Sequence, residues 1–238
     1  MKKTVLVTGA SRGIGYCIAE VFARNGYNVF ATCNKTKDTL PTLSETLAKE
    51  GFSLTPVFCD VSDETSVKEL FETVGDVDIL INNAGIAEFS ILSDISSSAW
   101  DRMIDTNLKS VFLMSREASR GMIRKQYGKI INISSVWGLV GASCETHYSA
   151  SKSGVIGFTR ALAKELGPSG ICVNCIAPGV IETEMNAHLS PEDMAALCDE
   201  TPLGRIGKPE DVADAALFFA KADFITGETL SVGGGFGM

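Results

Sequence analysis

Three polar residues in the second half of the chain have the types and spacing for chemistry on a carbonyl group. Tyr148 and Lys152 are four residues apart, so on a helix their side chains share one face. A tyrosine titrates at about pH 10 in water, and a lysine ammonium beside it would stabilise the phenolate and lower that pKa. Ser135 follows a strand-like run and could hold a carbonyl oxygen by a hydrogen bond while Tyr148 protonates it. The set predicts acid catalysis of hydride addition, although each residue alone also fits a purely structural role.

A glycine-rich turn near the N-terminus predicts a site for a diphosphate. The first strand-like run leads into the segment 8–15, TGASRGIG, and a helical pattern follows it. Gly9, Gly13 and Gly15 would let phosphate oxygens approach backbone N–H groups at the start of that helix. The spacing is Gly-x3-Gly-x-Gly rather than Gly-x-Gly-x-x-Gly, and a plain turn that closes a βα unit is the structural alternative.

The same turn contains the pattern Gly-x-Ser-x-Gly around Ser11, which is typical of the nucleophile elbow of serine hydrolases. Such a serine needs a histidine base later in the chain, and only His147 and His188 are present. Part of the oxyanion hole would come from an earlier strand–helix loop, whereas this turn follows the first strand. A serine hydrolase is therefore the remote alternative to a dinucleotide site.

The residues after the second predicted strand favour NADPH over NADH. An NAD site usually offers an acid about 20 residues beyond the glycines, where it binds the ribose 2′-hydroxyl. Here the sequence reads Cys33-Asn34-Lys35, without a carboxylate, and Asp38 is the next acid. Arg12 and Lys35 would attract a 2′-phosphate, so we predict NADPH as the cofactor.

Short apolar runs alternate with segments of helical spacing along the whole chain, a pattern typical of a parallel sheet with helices on both faces. We predict an α/β fold: a single-domain Rossmann-type, doubly wound parallel sheet of about seven strands. The predicted strands lie near 3–8, 28–33, 53–58, 77–81, 128–134, 171–177 and 228–232. The predicted helices lie near 13–26, 38–50, 63–73, 97–124, 147–167 and 209–221.

No change in composition and no repeat divides the 238 residues, so we predict one domain over 1–238. The stretch 183–205 is irregular and carries apolar residues such as Met185 and Leu189. This composition predicts a mobile, partly helical lid over a substrate site, and a plain surface excursion is the alternative.

The charge balance excludes several classes of partner. Twenty-one basic and 29 acidic residues give a net charge of −8, which argues against binding to nucleic acid or to an anionic membrane surface. No apolar run approaches the roughly 20 residues that span a bilayer, and no secretion signal is evident, so we expect a soluble, cytoplasmic protein. The seven cysteines, including Cys172 and Cys175 in a predicted strand, are expected to be reduced structural residues. No metal site is expected.

These motifs occur in the order found in the short-chain dehydrogenase/reductase family, which the chain resembles over essentially its whole length. The resemblance also includes Asn82-Asn83-Ala84-Gly85, Asn107 and Pro178-Gly179. It implies that Asn107 holds a water in a proton relay from Lys152. The alternative for Asn107 is a kinked or capped helix.

The resemblance also implies a set of cofactor contacts. In it, Asp60 meets the adenine, Asn83 braces the sheet near the cofactor, and Ile181 and Thr183 hold the nicotinamide carboxamide. Lys152 grips the nicotinamide ribose. A helix-start aspartate and a simple turn are the structural alternatives for Asp60 and for the Pro178-Gly179 pair. The implied contacts are Gly9, Ser11, Arg12, Gly13, Ile14, Gly15, Asn34, Lys35, Asp60, Val61, Asn83, Ala84, Gly85, Tyr148, Lys152, Pro178, Gly179, Ile181 and Thr183.

Within this family, the chain is most similar to bacterial 3-oxoacyl-(acyl-carrier-protein) reductases, in the stretches 128–135, 201–209 and 227–235. The similarity implies reduction of a 3-oxoacyl thioester to the 3-hydroxyacyl thioester in fatty acid synthesis, with NADPH as cofactor. It further implies a homotetramer that forms through the helices 97–124 and 147–167. Basic residues near the mouth of the site would speed encounter with an acidic acyl-carrier protein. The candidates are Arg124, Lys125 and Lys129.

Three features depart from that pattern. The segment 167–170 lacks a basic residue, the chain is slightly short between Phe219 and Gly227, and Trp137 adds bulk just after Ser135. Two other functions therefore stay open. One is a reductase or dehydrogenase of the same chemistry that acts on another ketone or alcohol, such as a sugar, a polyketide or a steroid-like ring. The other is a non-catalytic NADP(H) sensor, whose behaviour would not depend on the Tyr148 hydroxyl.

Overall fold

The computed structural model of the protein describes residues 2–34, 39–186 and 189–237. Seven parallel strands form one sheet in the order β3-β2-β1-β4-β5-β6-β7. The predicted α/β fold is confirmed, and every predicted strand lies within two residues of an observed one. The strands are β1 (Thr4–Val7), β2 (Asn28–Cys33), β3 (Ser53–Phe58), β4 (Ile79–Asn82), β5 (Gly128–Ile133), β6 (Ile171–Pro178) and β7 (Thr229–Val232).

The helices cover both faces of the sheet because the central strands are apolar on both sides. In β1, Val5 and Val7 belong to one hydrophobic cluster, whereas Leu6 between them belongs to the other. Helices α1, α2 and α9 pack on the first face, and α3, α5 and α7 pack on the second. The helices are α1 (Gly13–Arg24), α2 (Thr39–Lys49), α3 (Glu64–Val74), α4 (Ser97–Ile104), α5 (Ser110–Lys125), α6 (Trp137–Val140), α7 (Thr146–Leu166), α8 (Pro191–Glu200) and α9 (Pro209–Lys221).

The strand order determines where a ligand can bind. The chain moves outward from β1 to β2 and β3, then returns to the other side of β1 with β4. The loops after β1 and β4 therefore leave the sheet in opposite directions and open a crevice at the carboxyl ends of the strands. None of the helices in the described ranges is long and apolar enough to cross a membrane.

The predicted helix 97–124 is interrupted. A π-helical segment, Asp105–Lys109, separates α4 from α5. At its centre, Asn107 makes two hydrogen bonds to the backbone of Ile86, accepting from its N–H at 2.8 Å and donating to its carbonyl at 2.9 Å. The wider turn brings the Asn107 side chain to the loop after β4. The helical spacing of the sequence does not reveal this placement.

The stretch 183–205 is partly helical, as expected from its sequence. Helix α8 begins at Pro191, and Ser190 caps it by accepting a hydrogen bond from the N–H of Asp193 at 3.1 Å. The carboxylate of Asp193 accepts from the Ser190 N–H in return. The mobility expected of this stretch stays a prediction.

Candidate active site

A cavity of about 1090 Å³ opens at the carboxyl ends of β1, β4, β5 and β6. It brings together nearly all of the residues that the sequence singled out. Of the predicted site residues, Lys35 lies outside the described residues and Asn107 lies behind the cavity wall. The others line the cavity: Gly9, Ser11, Arg12, Gly13, Ile14, Gly15, Asn34, Asp60, Val61, Asn83, Ala84, Gly85, Ser135, Tyr148, Lys152, Pro178, Gly179, Ile181 and Thr183.

The glycine-rich turn follows β1 and lines the cavity, and close backbone contacts require its glycines. Gly9 has φ +64°, and a Cβ atom there would lie 2.7 Å from the Cα of Ala84. A Cβ at Gly15 would collide with the side chain of Asn83 and with the carbonyl of Gly9. The amide of Asn83 donates to the carbonyls of Thr8 and Gly9, each at 3.0 Å, so it ties the ends of β1 and β4 together.

This turn fits the diphosphate of a dinucleotide. Helix α1 begins at Gly13, so its first N–H groups have no partners within the helix. No side chain of Gly9, Gly13 or Gly15 stands between them and the cavity. A helix N-terminus of this kind favours a bound anion.

The side of the cavity beyond β2 and β3 would hold the adenosine part of a dinucleotide. The carboxylate of Asp60 accepts hydrogen bonds from Asn34 Nδ2 at 3.1 Å and from the Ser62 hydroxyl at 2.6 Å. Burial alone would raise the pKa of Asp60, but these bonds outweigh it and the pKa is lowered. Arg12, predicted to attract a 2′-phosphate, forms an ion pair with Glu184 at 2.9 Å. Sequence analysis missed Glu184 because the segment 183–205 gave no sign of its position.

The three catalytic candidates meet in the middle of the cavity. Ser135 follows β5, and its hydroxyl accepts a hydrogen bond from the backbone N–H of Trp137 at 3.2 Å. Tyr148 lines the same cavity, and the Ser135 side chain lies close enough to its hydroxyl to affect the pKa of Tyr148. Lys152, one turn further along α7, donates from Nζ to the carbonyl of Ile133 at 2.9 Å, and its Nζ lies 5.7 Å from the centre of the Tyr148 ring.

The protonation states differ from the simplest expectation. Burial raises the pKa of Tyr148 to about 12; the nearby Ser135 side chain opposes this rise, and the negative charge of Glu145 reinforces it. Burial lowers the pKa of Lys152 to about 8. The expected lowering of the tyrosine pKa by Lys152 is therefore absent from this arrangement, because burial dominates at both residues. Tyr148 is protonated at neutral pH, which is the state that a proton donor needs.

Asn107 is 1% exposed and lies next to Lys152, behind Gly85. A Cβ atom on Gly85 would lie 3.3 Å from Asn107 Oδ1 and 3.5 Å from Lys152 Nζ, so the glycine leaves these two polar groups close together. Asn107 also donates to the hydroxyl of Ser151 at 3.2 Å. The water relay stays a prediction; the backbone around Asn107 is the π-helical segment Asp105–Lys109.

Comparison with known proteins supports one family. A family model described as short chain dehydrogenase matches residues 3–194. A 3-oxoacyl-(acyl-carrier-protein) reductase of Vibrio harveyi is 42% identical over 236 residues, which span 98% of this chain and 96% of the relative. The chain belongs to the short-chain dehydrogenase family. It is an oxidoreductase of that family.

Solved structures of this family superimpose on the whole chain. A putative gluconate dehydrogenase from Agrobacterium tumefaciens has a TM-score of 0.94 at 35% identity and covers 98% of this chain and 95% of its own. A 3-oxoacyl-(acyl-carrier-protein) reductase with bound NAD from Brucella melitensis has a TM-score of 0.91 at 36% identity, with coverage of 99% and 91%. Relatives of one fold thus carry names that indicate different substrates.

The structure gives no support to the hydrolase alternative for this short-chain dehydrogenase. His147 is fully buried in α7, and neither of its ring nitrogens has a hydrogen-bond partner among the described residues. His188 lies outside the described residues. Ser11 therefore has no histidine base within the part of the chain that the structure describes.

The three basic residues expected at the mouth of the site are placed elsewhere. Arg124 pairs with Asp76 and Lys125 with Asp78, at the end of the sheet where the strands begin. Lys129 is buried in β5. None of the three lines this cavity. Met185 and Leu189, expected in the lid, line the cavity, as does Trp137 beside Ser135. The lining residues that the sequence did not single out include Glu88, Phe89, Glu145 and Asp193.

Proposed function

We propose that this short-chain dehydrogenase reduces a carbonyl group to a secondary alcohol, with NADPH as cofactor and a 3-oxoacyl thioester as substrate. The observation that carries the proposal is the presence of Ser135, Tyr148 and Lys152 in one cavity, with Lys152 Nζ 5.7 Å from the centre of the Tyr148 ring. A nicotinamide cofactor, when bound, supplies the hydride to the carbonyl carbon.

The protein's own residues would supply the rest of the chemistry. Ser135 donates a hydrogen bond to the carbonyl oxygen and positions it, while Tyr148 transfers its proton to that oxygen. The positive charge of Lys152 stabilises the tyrosinate that remains, and the same amine holds the nicotinamide ribose. Asn107 anchors the path by which a proton returns to Lys152 and Tyr148.

The preference for NADPH rests on charge. Asn34 stands at the end of β2, where an acid would repel a 2′-phosphate, and Arg12 lines the same cavity. The ion pair with Glu184 partly neutralises the charge of Arg12, so Arg12 attracts a 2′-phosphate only moderately. Dissociation constants for NADPH and NADH, measured by cofactor fluorescence, test this choice. A tenfold preference for NADH would contradict it.

The choice of substrate follows the names of the relatives, several of which are 3-oxoacyl-(acyl-carrier-protein) reductases. The reaction would yield the 3-hydroxyacyl thioester in fatty acid synthesis, on an acyl-carrier protein as the carrier. A second candidate is the same chemistry on another ketone or alcohol, which the similarity to a putative gluconate dehydrogenase favours. A non-catalytic NADP(H) sensor would bind the cofactor without turnover.

We further propose that the chain acts as a cytoplasmic homotetramer that associates through α4, α5 and α7. Large apolar side chains on α5 are left exposed in the single chain, among them Phe112 at 44% and Ile123 at 41%. Exposed apolar side chains on one helix are typical of a surface that another protein covers. Light scattering should give four times the mass of one chain, and a stable monomer would refute the assembly.

The first test is oxidation of NADPH by the purified protein with an acetoacetyl thioester. The matched control variant is Tyr127→Phe, because Tyr127 hydrogen-bonds Lys3 far from the cavity. We expect Tyr148→Phe to lower kcat/KM by about 10³-fold or more, since general acid catalysis contributes roughly 10²–10⁴. Both variants should keep NADPH binding. Binding without turnover in the wild-type protein would indicate another carbonyl substrate or a sensor.

A further inference from the structure

Trp137 lies beside the catalytic hydroxyls, in the wall of the cavity. It is the first residue of α6, and its backbone N–H donates to the Ser135 hydroxyl. Its side chain lines the same cavity as Ser135 and Tyr148. A carbonyl oxygen that bonds to these two hydroxyls therefore places one of its two substituents near the indole.

The indole is supported from behind by the C-terminal segment. The rings of Trp137 and Phe236 meet edge to face, with centroids 5.4 Å apart and planes at 73°. Phe236 is 6% exposed, so it is itself held in place. Next to it, a Cβ atom on Gly237 would lie 2.6 Å from Val136 Cγ2. The tail thus packs against α6 and leaves the indole little room to move away from a ligand.

Helix α6 is equally fixed on its other side. A Cβ atom on Gly138 would lie 2.7 Å from Ser134 Oγ and 2.8 Å from the carbonyl carbon of Lys152, so α6 lies directly against α7. The Ser153 hydroxyl donates to the Gly138 carbonyl at 2.7 Å. Because both sides of α6 are packed, Trp137 forms a rigid part of the cavity wall.

Other apolar residues of the cavity are less constrained. Phe89 is 72% exposed and Met185 is 42% exposed. Methionine is also unbranched and adapts its shape to a ligand. A substrate can therefore displace these side chains more easily than Trp137.

We propose that Trp137, supported by Phe236, limits the size of the group on one side of the reacting carbonyl. It makes short 3-oxoacyl chains better substrates than long ones. This inference rests on the proposed reductase function and names the substrate class within it.

The test compares kcat/KM for four-carbon and ten-carbon 3-oxoacyl thioesters of coenzyme A. The variants are Trp137→Val, which replaces the indole in the cavity wall with a smaller side chain, and Phe236→Leu, which removes the ring that packs behind the indole. The matched control is Phe224→Val, because Phe224 is an exposed aromatic residue that lies outside α4, α5 and α7 and does not line the cavity. Dissociation constants for NADPH report whether each variant keeps its cofactor site. The same variants are also assayed with 2-butanone and 2-decanone.

We expect Trp137→Val to raise the ratio of long-chain to short-chain kcat/KM by at least about tenfold, since a single methylene in a tight pocket changes specificity by roughly 10–200-fold. Phe236→Leu should raise it less, and Phe224→Val should change it less than about twofold. An unchanged ratio in Trp137→Val with intact NADPH binding would overturn the proposal. Turnover of the ketones alone would refute the thioester substrate, and the ketone ratio would then decide the role of Trp137. Turnover of neither set would refute both proposals.

Discussion

Two buried lysines lie at opposite ends of the same strand, β5. Lys129, 2% exposed, lies at the start of β5, and Lys152, 4% exposed, donates to the carbonyl of Ile133 at its end. Burial alone would lower the pKa of Lys129, but its hydrogen bond to the carboxylate of Asp223 at 2.8 Å and its contact with Cys172 outweigh it, so the pKa is raised. At Lys152 burial dominates and the pKa falls to about 8.

The difference separates a structural lysine from one that is available for chemistry. Lys129 has its counter-ion within the fold. Lys152 has a backbone carbonyl and no bonded carboxylate among the described residues, so its charge is stabilised less. Such a group gains most when a negative charge forms beside it, as it would on Tyr148 after proton transfer. Residues with a perturbed pKa in a cavity are typical of catalytic sites.

The largest expected effect is on activity. Lys152→Met should lower kcat/KM by about 10³-fold, because it removes the charge that stabilises the tyrosinate. Lys129→Met should keep activity within about twofold, since Lys129 does not line the cavity. NADPH oxidation with an acetoacetyl thioester measures both. Equal losses of kcat/KM in the two variants would mean that both substitutions act only by destabilising the fold.

A smaller effect should appear in the pH dependence of stability. The folded-state pKa of Lys152 is about 8, below its usual value, so between pH 8 and 10.5 the unfolded chain binds more protons than the folded one. The free energy of unfolding of the wild-type protein should therefore rise relative to Lys152→Met by about 2 kcal/mol between pH 7.5 and pH 10. Urea unfolding followed by circular dichroism measures it, at a fixed protein concentration. If the free energies of unfolding of the two proteins changed equally with pH, burial would not disfavour the charged form of Lys152.

The smallest effect should be the loss of stability in Lys129→Met. The variant leaves the Ala222 carbonyl without this donor, while Asp223, whose side chain is 84% exposed, returns to solvent. We expect the free energy of unfolding to fall by about 1 kcal/mol, the scale of one hydrogen bond. The pKa of Lys129 is raised, so its contribution is fully present below the pKa of an unfolded lysine and should not change between pH 7.5 and pH 10. A loss above about 3 kcal/mol would mean that the carboxylate of Asp223 stays buried without a counter-ion.

Sequence patterns predict the sheet well because its strands are buried on both faces. The continuous apolar runs around Val5, Leu80 and Ile130 have no other stable position in a soluble fold. The glycine turn and the Tyr148–Lys152 spacing are local features, so their placement in one cavity follows once the strand order is known. Ser190, Pro191 and Asp193 carry capping signals for α8 that the sequence interpretation did not use.

The features that the sequence did not predict depend on contacts between distant segments. At the π-helical turn, the side chain of Asn107 bonds to the backbone of Ile86, 21 residues away. Glu184 reaches Arg12 across 172 residues, and Asp223 reaches Lys129 across 94. No periodicity or motif marks such pairs, so the electrostatic environment of the site becomes visible only in three dimensions.

The π-helical turn determines how α4 is rotated relative to α5. Five residues in place of four amount to one inserted residue in an otherwise regular helix. Removing one residue from Asp105–Lys109 would restore the regular hydrogen-bonding ladder, but it would rotate every residue before the deletion by about 100° relative to α5. Either Asn107 or the apolar face of α4 would then point the wrong way. The irregular turn lets α4 and α5 keep their apolar faces in the core while Asn107 lies beside Lys152.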